Sequence, residues 1–262
     1  MGNIRVIGPR EAGKTTYLSA LASFGKKDKQ FSVTPINDDS KKLLELAENI
    51  LKGGERLEPT DAQQRVDEIP DYLFLIKGKK GLKNYKIDLN VKDYSGEIFE
   101  KLAQNNELDE KTQDYINHCL MKDVSGCLVM LTGWEKGEDR KYKKAFEHLI
   151  KLMDSRQRLK NLRLAIVMSK CERGEIWPGR IEPKTDLFSL HLPETKELLE
   201  ETIPAKNLGF FAVSAFGVLG KNDPRPNRID EVGRNGRQAV LRDTERWQPY
   251  NLLEPLYWLS GV

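Results

Sequence analysis

The sequence predicts an α/β fold: a three-layer sandwich with a mostly parallel sheet, helices on both faces, and one antiparallel strand supplied by a hairpin. Two observations carry this. Short apolar runs bounded by turn residues alternate with segments of helical period, the pattern of parallel strands joined by crossover helices. One pair of strand-like runs, DYLFLIKG (71–78) and NYKIDLNVKD (84–93), is separated only by KKGLK, which reads as a hairpin.

In chain order, NIRVIG (3–8) is a short buried strand, and GKTTYLSALASF carries an apolar stripe at Tyr17, Leu18, Leu21 and Phe24. DDSKKLLELAENILKG reads as a helix capped by Asp38 or Asp39, with Gly53 near its end. In the hairpin, Tyr85, Ile87, Leu89 and Val91 alternate cleanly. A helix around 109–123 leads to the buried strand GCLVMLTG, and 138–156 is an amphipathic helix. LRLAIVMSK is a further buried strand, PETKELLEETI a helix with Pro193 in its first turn, LGFFAVSAF a last strand and NLLEPLYWL a helical cap. The expectation is one domain over 1–262, interrupted at about 25–58, 172–192 and 220–248. The last interruption is rich in arginine and turn residues and lacks apolar periodicity until Val240 and Leu241, so it reads as an insertion or a flexible excursion, not a domain.

Bulk properties narrow the function classes. Charged residues make up 32% of the 262, and 43 basic side chains against 40 acidic ones leave a net charge of +3, too balanced to imply nucleic acid. The three cysteines, Cys119, Cys127 and Cys171, have no metal-ligand spacing and read as free thiols of a reducing compartment, so a cytoplasmic location is expected. No apolar run approaches the ~20 residues needed to cross a bilayer. His118, His148 and His191 are scattered without metal partners, and the four tryptophans read as core or interface.

The chemistry starts at GPREAGKTT. Gly8, Gly13, Lys14 and Thr15 form G-x-x-x-x-G-K-T after a strand and before a helix, the setting of a phosphate-binding P-loop. Backbone N–H groups from Glu11 and Ala12 to Thr15 would face the β-phosphate, with the helix dipole adding favourable potential. Lys14 would bring its charge to the β- and γ-phosphates, the Thr15 hydroxyl would ligate Mg²⁺, and Thr16 would lie near the α-phosphate. The fold is therefore expected to be the P-loop NTPase sandwich.

Three further motifs follow at strand ends: DYSGE (93–97), SKCE (169–172) and SAF (214–216). With the P-loop, and in this order, they make the chain resemble the Ras-like and translation-factor (TRAFAC) class of P-loop GTPases. More loosely, GPREAGKTTYLSAL and the late WQPYNLLEPLYWL resemble a prokaryotic small-GTPase-like branch of that class. The resemblance implies GTP/GDP and Mg²⁺ as ligands. It assigns Asp93 to Mg²⁺ through water, the Gly96 N–H to the γ-phosphate, and Thr60, better placed than its rival Thr34, to completing the Mg²⁺ shell. At the base, Lys170 would brace the P-loop, Glu172 would accept from guanine N1–H and the N2 amine, and the Ala215 N–H, after Ser214, would donate to O6. Ser169 and Glu172 stand where the family has Asn or Thr and Asp, so guanine selectivity is expected to be softer.

Hydrolysis is the open part. The family commonly has Gln where Glu97 stands, and glycine where Arg10 stands. A carboxylate accepts from water but donates nothing to phosphate. Arg10 has three readings: a built-in arginine finger, a partner of Glu97 holding an off state, or a residue turned to solvent or a partner protein. The expected function is a GTP·Mg²⁺ switch that hydrolyses slowly and recruits a protein effector. The alternatives are a catalytically weak structural subunit and an ATP-dependent P-loop kinase. No nucleic acid and no transmembrane segment are expected.

Overall fold

The computed structural model describes residues 3–25, 31–53, 69–80, 83–92, 96–104, 108–133, 135–233 and 236–261. Along the chain, β1 (Asn3–Ile7) leads through a loop into α1 (Lys14–Phe24), followed by β2 (Phe31–Pro35), α2 (Asp38–Glu48) and a π-helical turn, Asn49–Gly53. The hairpin of β3 (Asp71–Lys80) and β4 (Lys83–Lys92) precedes α3 (Gly96–Leu102), α4 (Glu110–Cys119) and β5 (Val124–Leu131). Next come α5 (Glu138–Ser155), β6 (Arg163–Met168), short helical turns with α6 (Ser189–His191), α7 (Pro193–Thr202) and β7 (Leu208–Ala212). The chain closes with β8 (Val218–Gly220), β9 (Asp223–Pro226), β10 (Arg228–Gly233), β11 (Gly236–Leu241) and α8 (Glu254–Ser260).

Four strands make a parallel sheet in the order β1-β5-β6-β7. Pairing of Leu131 with Met168 and of Met168 with Ala212 brings the carboxyl ends of β5, β6 and β7 to one edge. That edge is where ligands bind in such sheets. The sheet is apolar on both faces because β5 alternates between two cores. Cys127, Val129 and Leu131 face one core, shared with α3, α4, α5 and α7. Leu128 and Met130 face the other, shared with α1, α8 and the antiparallel strands. The 18-residue α5 shows how the pattern specifies the layer: Tyr142, Ala145, Phe146, Leu149, Ile150 and Met153 are its buried stripe. This is the expected P-loop NTPase sandwich.

The hairpin forms as expected but belongs to a three-stranded antiparallel sheet, β2-β3-β4. The unanticipated strand β2 is five residues long and ends in Pro35, so only Phe31 and Val33 mark its buried face. From β1, the buried Arg5 donates through Nη1 to the side-chain carbonyl of Asn90 in β4 at 3.3 Å. The cap of α2 is Asn37, not Asp38 or Asp39: its extended backbone lets Oδ1 accept from the Ser40 N–H at 3.0 Å. The segment 220–248, expected to be an insertion or a flexible excursion, holds the β10–β11 pair and β9, which pairs with β8 at the segment's start. These strands are only three to six residues long, too little pattern to read as alternation. No helix among the described residues is long and apolar enough to cross a membrane.

Candidate functional site

The loop from Gly8 to Gly13 forms the cradle. A side chain at Gly8 would be driven into the carbonyl of Met130, because the loop crosses directly over β5. Gly13, at φ 84°, starts α1, which has no side-chain cap and no acid in its first turn, so its first amides meet no competing carboxylate there. Ala12 is buried, Glu11 is exposed in the left-handed region at φ 60°, and Thr15 and Thr16 are half-buried. Lys14 is buried, with Nζ donating to the Gly8 and Pro9 carbonyls at 3.0 Å each. The ammonium is thus held inside the loop, where a phosphate would replace two neutral acceptors with charged ones.

Helix α3 packs against this loop. A Cβ on Gly96 would lie 2.6 Å from both Arg10 Cα and the Pro9 carbonyl carbon, so the backbones touch and no larger residue fits. One residue on, Glu97 forms an ion pair with Arg10. Of the remaining residues assigned to the γ-phosphate and metal, Thr60 and Asp93 lie outside the described residues. The rival Thr34 is exposed in β2, opposite Leu75.

The base-side residues gather at the ends of β6 and β7. The Ser169 hydroxyl donates to the Leu131 carbonyl at 3.0 Å, tying the loop after β6 to β5. Lys170 takes φ 56°, and its Cε lies 3.8 Å from where a Cβ on Gly13 would be, so its stem runs against the P-loop. Non-glycine residues at positive φ are strained, and Glu11 and Lys170 are two such residues of this site, at φ 60° and 56°. Glu172 is fully buried; Oε1 accepts from Arg228 Nη1 at 3.3 Å, and Oε2 has no hydrogen-bond partner. Ser214 is buried, its hydroxyl oxygen accepting from the Gly217 N–H at 2.7 Å, and the half-buried Ala215 accepts the Trp247 indole N–H at 2.8 Å. The structure therefore brings Gly8, Ala12, Gly13, Lys14, Lys170, Arg10, Glu97 and Gly96 around one loop. Arg228 is the member of this site that sequence reasoning missed. It lies 56 positions from Glu172, and its only trace was the arginine-rich composition of the segment.

Residues 5–161 match the family described as Double-GTPase 1. The chain belongs to that family. This bears out the resemblance to P-loop GTPases, and guanine-nucleotide binding comes with membership. The matched span covers the P-loop, Gly96 and Glu97; the base-side motifs at 169–172 and 214–216 lie beyond it. Among solved structures, the chain is similar to the signal recognition particle receptor SRb-GTP/SRX complex from Chaetomium thermophilum, at 12% identity and TM-score 0.41, covering 83% of this chain and 92% of that one. It is similar to the S. cerevisiae Ski7 GTPase-like domain bound to GTP, at 15% identity and TM-score 0.42, covering 85% of this chain and 45% of that one. It is also similar to sup35 complexed with GDP, at 12% identity and TM-score 0.33, covering 82% and 37%. The chain spans less than half the length of the last two. No curated protein matches it.

In this Double-GTPase 1 domain the residues present fit a nucleotide: a helix start without a side-chain cap, a buried lysine that donates to the Gly8 and Pro9 carbonyls of its loop, and a buried carboxylate oxygen of Glu172 without a hydrogen-bond partner. For Mg²⁺, Thr15 is the described ligand candidate. Lys170 is sensitive to this environment. Burial, then the nearby Arg228 and Arg173, lower its pKa to about 8. An amine with a depressed pKa penalises the folded state fully below that value. The unfolded chain holds the proton up to the ordinary 10.5, so the penalty fades as pH rises from about 8 to 10.5. Lys170→Met is therefore expected to stabilise the nucleotide-free protein at pH 7 by on the order of 1–3 kcal/mol. Thermal melts of both proteins at pH 7 and pH 10 check this: the advantage should shrink at pH 10.

Proposed function

We propose that the chain is a single GTPase domain over 1–262, with insertions at about 25–58, 172–192 and 220–248, that binds GTP with Mg²⁺ and hydrolyses it slowly to GDP. Its GTP state recruits a protein partner. The observation that supports this best is the direct backbone contact between Gly96 and the loop at Pro9 and Arg10. A γ-phosphate seated in the loop would meet α3 at once, so nucleotide state and the position of α3 are coupled. Lys14 would leave the Gly8 and Pro9 carbonyls for the β- and γ-phosphates. Thr15, with Asp93 and Thr60, would hold Mg²⁺, which when bound neutralises charge on those phosphates. Glu172, Lys170 and Ala215 would receive the guanine.

Three buried free cysteines support a cytoplasmic setting. A second reading, a GTP-binding structural subunit with little turnover, is favoured by the Arg10–Glu97 ion pair, which engages both atypical residues of the hydrolysis site with each other. A competition titration against fluorescent GDP tests the ligand. GTP and GDP are expected to compete at least about tenfold better than ATP, because a carboxylate facing the guanine N1–H finds only an acceptor at that position of adenine. Equal potency of ATP would sink the guanine reading. Absence of hydrolysis under single-turnover conditions, with bound GTP intact, would replace the switch by the structural subunit.

A further inference from the structure

The carboxylate at the base position already has a cationic neighbour. Arg228, the first residue of β10, places Nη1 3.3 Å from Glu172 Oε1, and the two side chains are 9% and 0% exposed. Its Nε and Nη2 hold Asp230 Oδ1 at 2.7 and 2.6 Å, and its guanidinium centre sits 5.6 Å from the ring centre of Phe216, next to Ala215. The strand that carries it is pinned. Buried Asn227 donates its N–H to the Gly217 carbonyl at 3.0 Å and exchanges two bonds with the Asp243 backbone, at 2.7 and 2.8 Å. Arg173, the residue after Glu172, reaches Asp230 at 3.3 Å and ties the two loops together again.

The chemistry of this contact bears on base recognition. The N1–H, C2 and N2-amine edge of guanine is itself a guanidine fragment, and the Arg228 guanidinium offers a carboxylate the same planar donors with a full charge. A carboxylate has two oxygens. Arg228 engages one, and the other is buried without a partner. We propose that Arg228 is a specificity-determining residue for the base: it holds Glu172 Oε1 and leaves Oε2 as the single oxygen that reads guanine. Oε2 keeps the N1–H contact and the N2 amine goes unread. Glutamate in place of aspartate suits this division, because the extra methylene lets one carboxylate reach both the insertion and the base. Glu172 is wholly buried, so seating the base requires local opening of the surrounding loops. The inference rests on the reading of Glu172 as the base reader.

Competition binding with GDP, IDP and ADP on the full chain tests it. Inosine lacks the N2 amine, so wild-type protein is expected to bind GDP and IDP within about threefold while rejecting ADP by at least about tenfold. Arg228→Met releases Oε1 and should raise the GDP-to-IDP preference to about tenfold or more. Arg228→Lys keeps the buried charge without the planar donor pair. It should move the ratio in the same direction by less, and it carries the test if the methionine variant fails to fold. A wild-type preference for GDP over IDP above about tenfold overturns the proposal. So does an unchanged ratio in the folded variants, including equal weakening of all three nucleotides, which would mark Arg228 as structural. If Glu172→Ala leaves all three affinities at wild-type values, the base is not read at Glu172 and the underlying assignment fails with it.

Discussion

Lys14→Ala is expected to weaken GTP and GDP binding about 10²–10³-fold while leaving the fold in place. The ammonium is buried and donates to the Gly8 and Pro9 carbonyls at 3.0 Å each. Those are neutral acceptors from its own loop. Phosphate oxygens are charged, and charge-assisted bonds are worth roughly twice neutral ones, about 1.5–3 kcal/mol each. Two such bonds forfeited are about 3–6 kcal/mol gross, or about 10²–10⁴-fold at about 1.4 kcal/mol per factor of ten, and the two neutral bonds that Lys14 makes in the empty loop offset part of this, leaving the stated loss. The cost to the empty protein is small, because losing the ammonium also removes a charge that burial penalises. Titration with a fluorescent GDP analogue, alongside melting curves with and without GDP, reads both effects. The nucleotide-dependent rise in melting temperature should vanish while the empty protein melts within a few degrees of wild type. Binding within about threefold of wild type would remove Lys14 from the phosphate site.

That lysine was legible because everything it does is local. The loop, its strand and its helix occupy consecutive residues, and backbone geometry forces Gly8 and Gly13 into fixed places relative to Lys14. Lys170 was legible for a related reason: it stands at the end of a buried strand parallel to β1, and parallel register delivers strand ends to one edge. The 220–248 segment was not legible. Its strands are short and pair as two-stranded ribbons, and its anchor is one buried asparagine whose partners, Gly217 and Asp243, lie 10 residues before it and 16 after. Arg228 was hidden with it, since a cation among arginines and aspartates gives no sign of which carboxylate it meets. Strand β2 failed differently. Five residues with two buried positions and a terminal proline are too little pattern, and its strand character comes from the ladder it makes with β3.

Glu97→Gln is expected to raise the single-turnover rate of GTP hydrolysis about five- to tenfold, and Arg10→Ala introduced with it to abolish the gain. Arg10 and Glu97 are paired, but their side chains are 57% and 32% exposed. An ion pair so open to water is worth ~0–1 kcal/mol, enough to bias Arg10 toward α3 and too little to lock it there. A γ-phosphate in the loop below competes for the same guanidinium with more charge. An arginine that reaches the transferring phosphoryl group is among the strongest sources of rate acceleration in this chemistry. Glutamine removes the competing charge and can both accept from water and donate to phosphate, which a carboxylate cannot. The two substitutions act through one contact, so their effects should be non-additive in a double-mutant cycle. Arg10→Ala alone should hydrolyse GTP no faster than wild type, with GTP affinity little changed. Faster turnover in Arg10→Ala would mean that the arginine keeps water out. Slower turnover in Glu97→Gln would mean that the carboxylate itself serves the attacking water, and either result would end the latch interpretation of the pair.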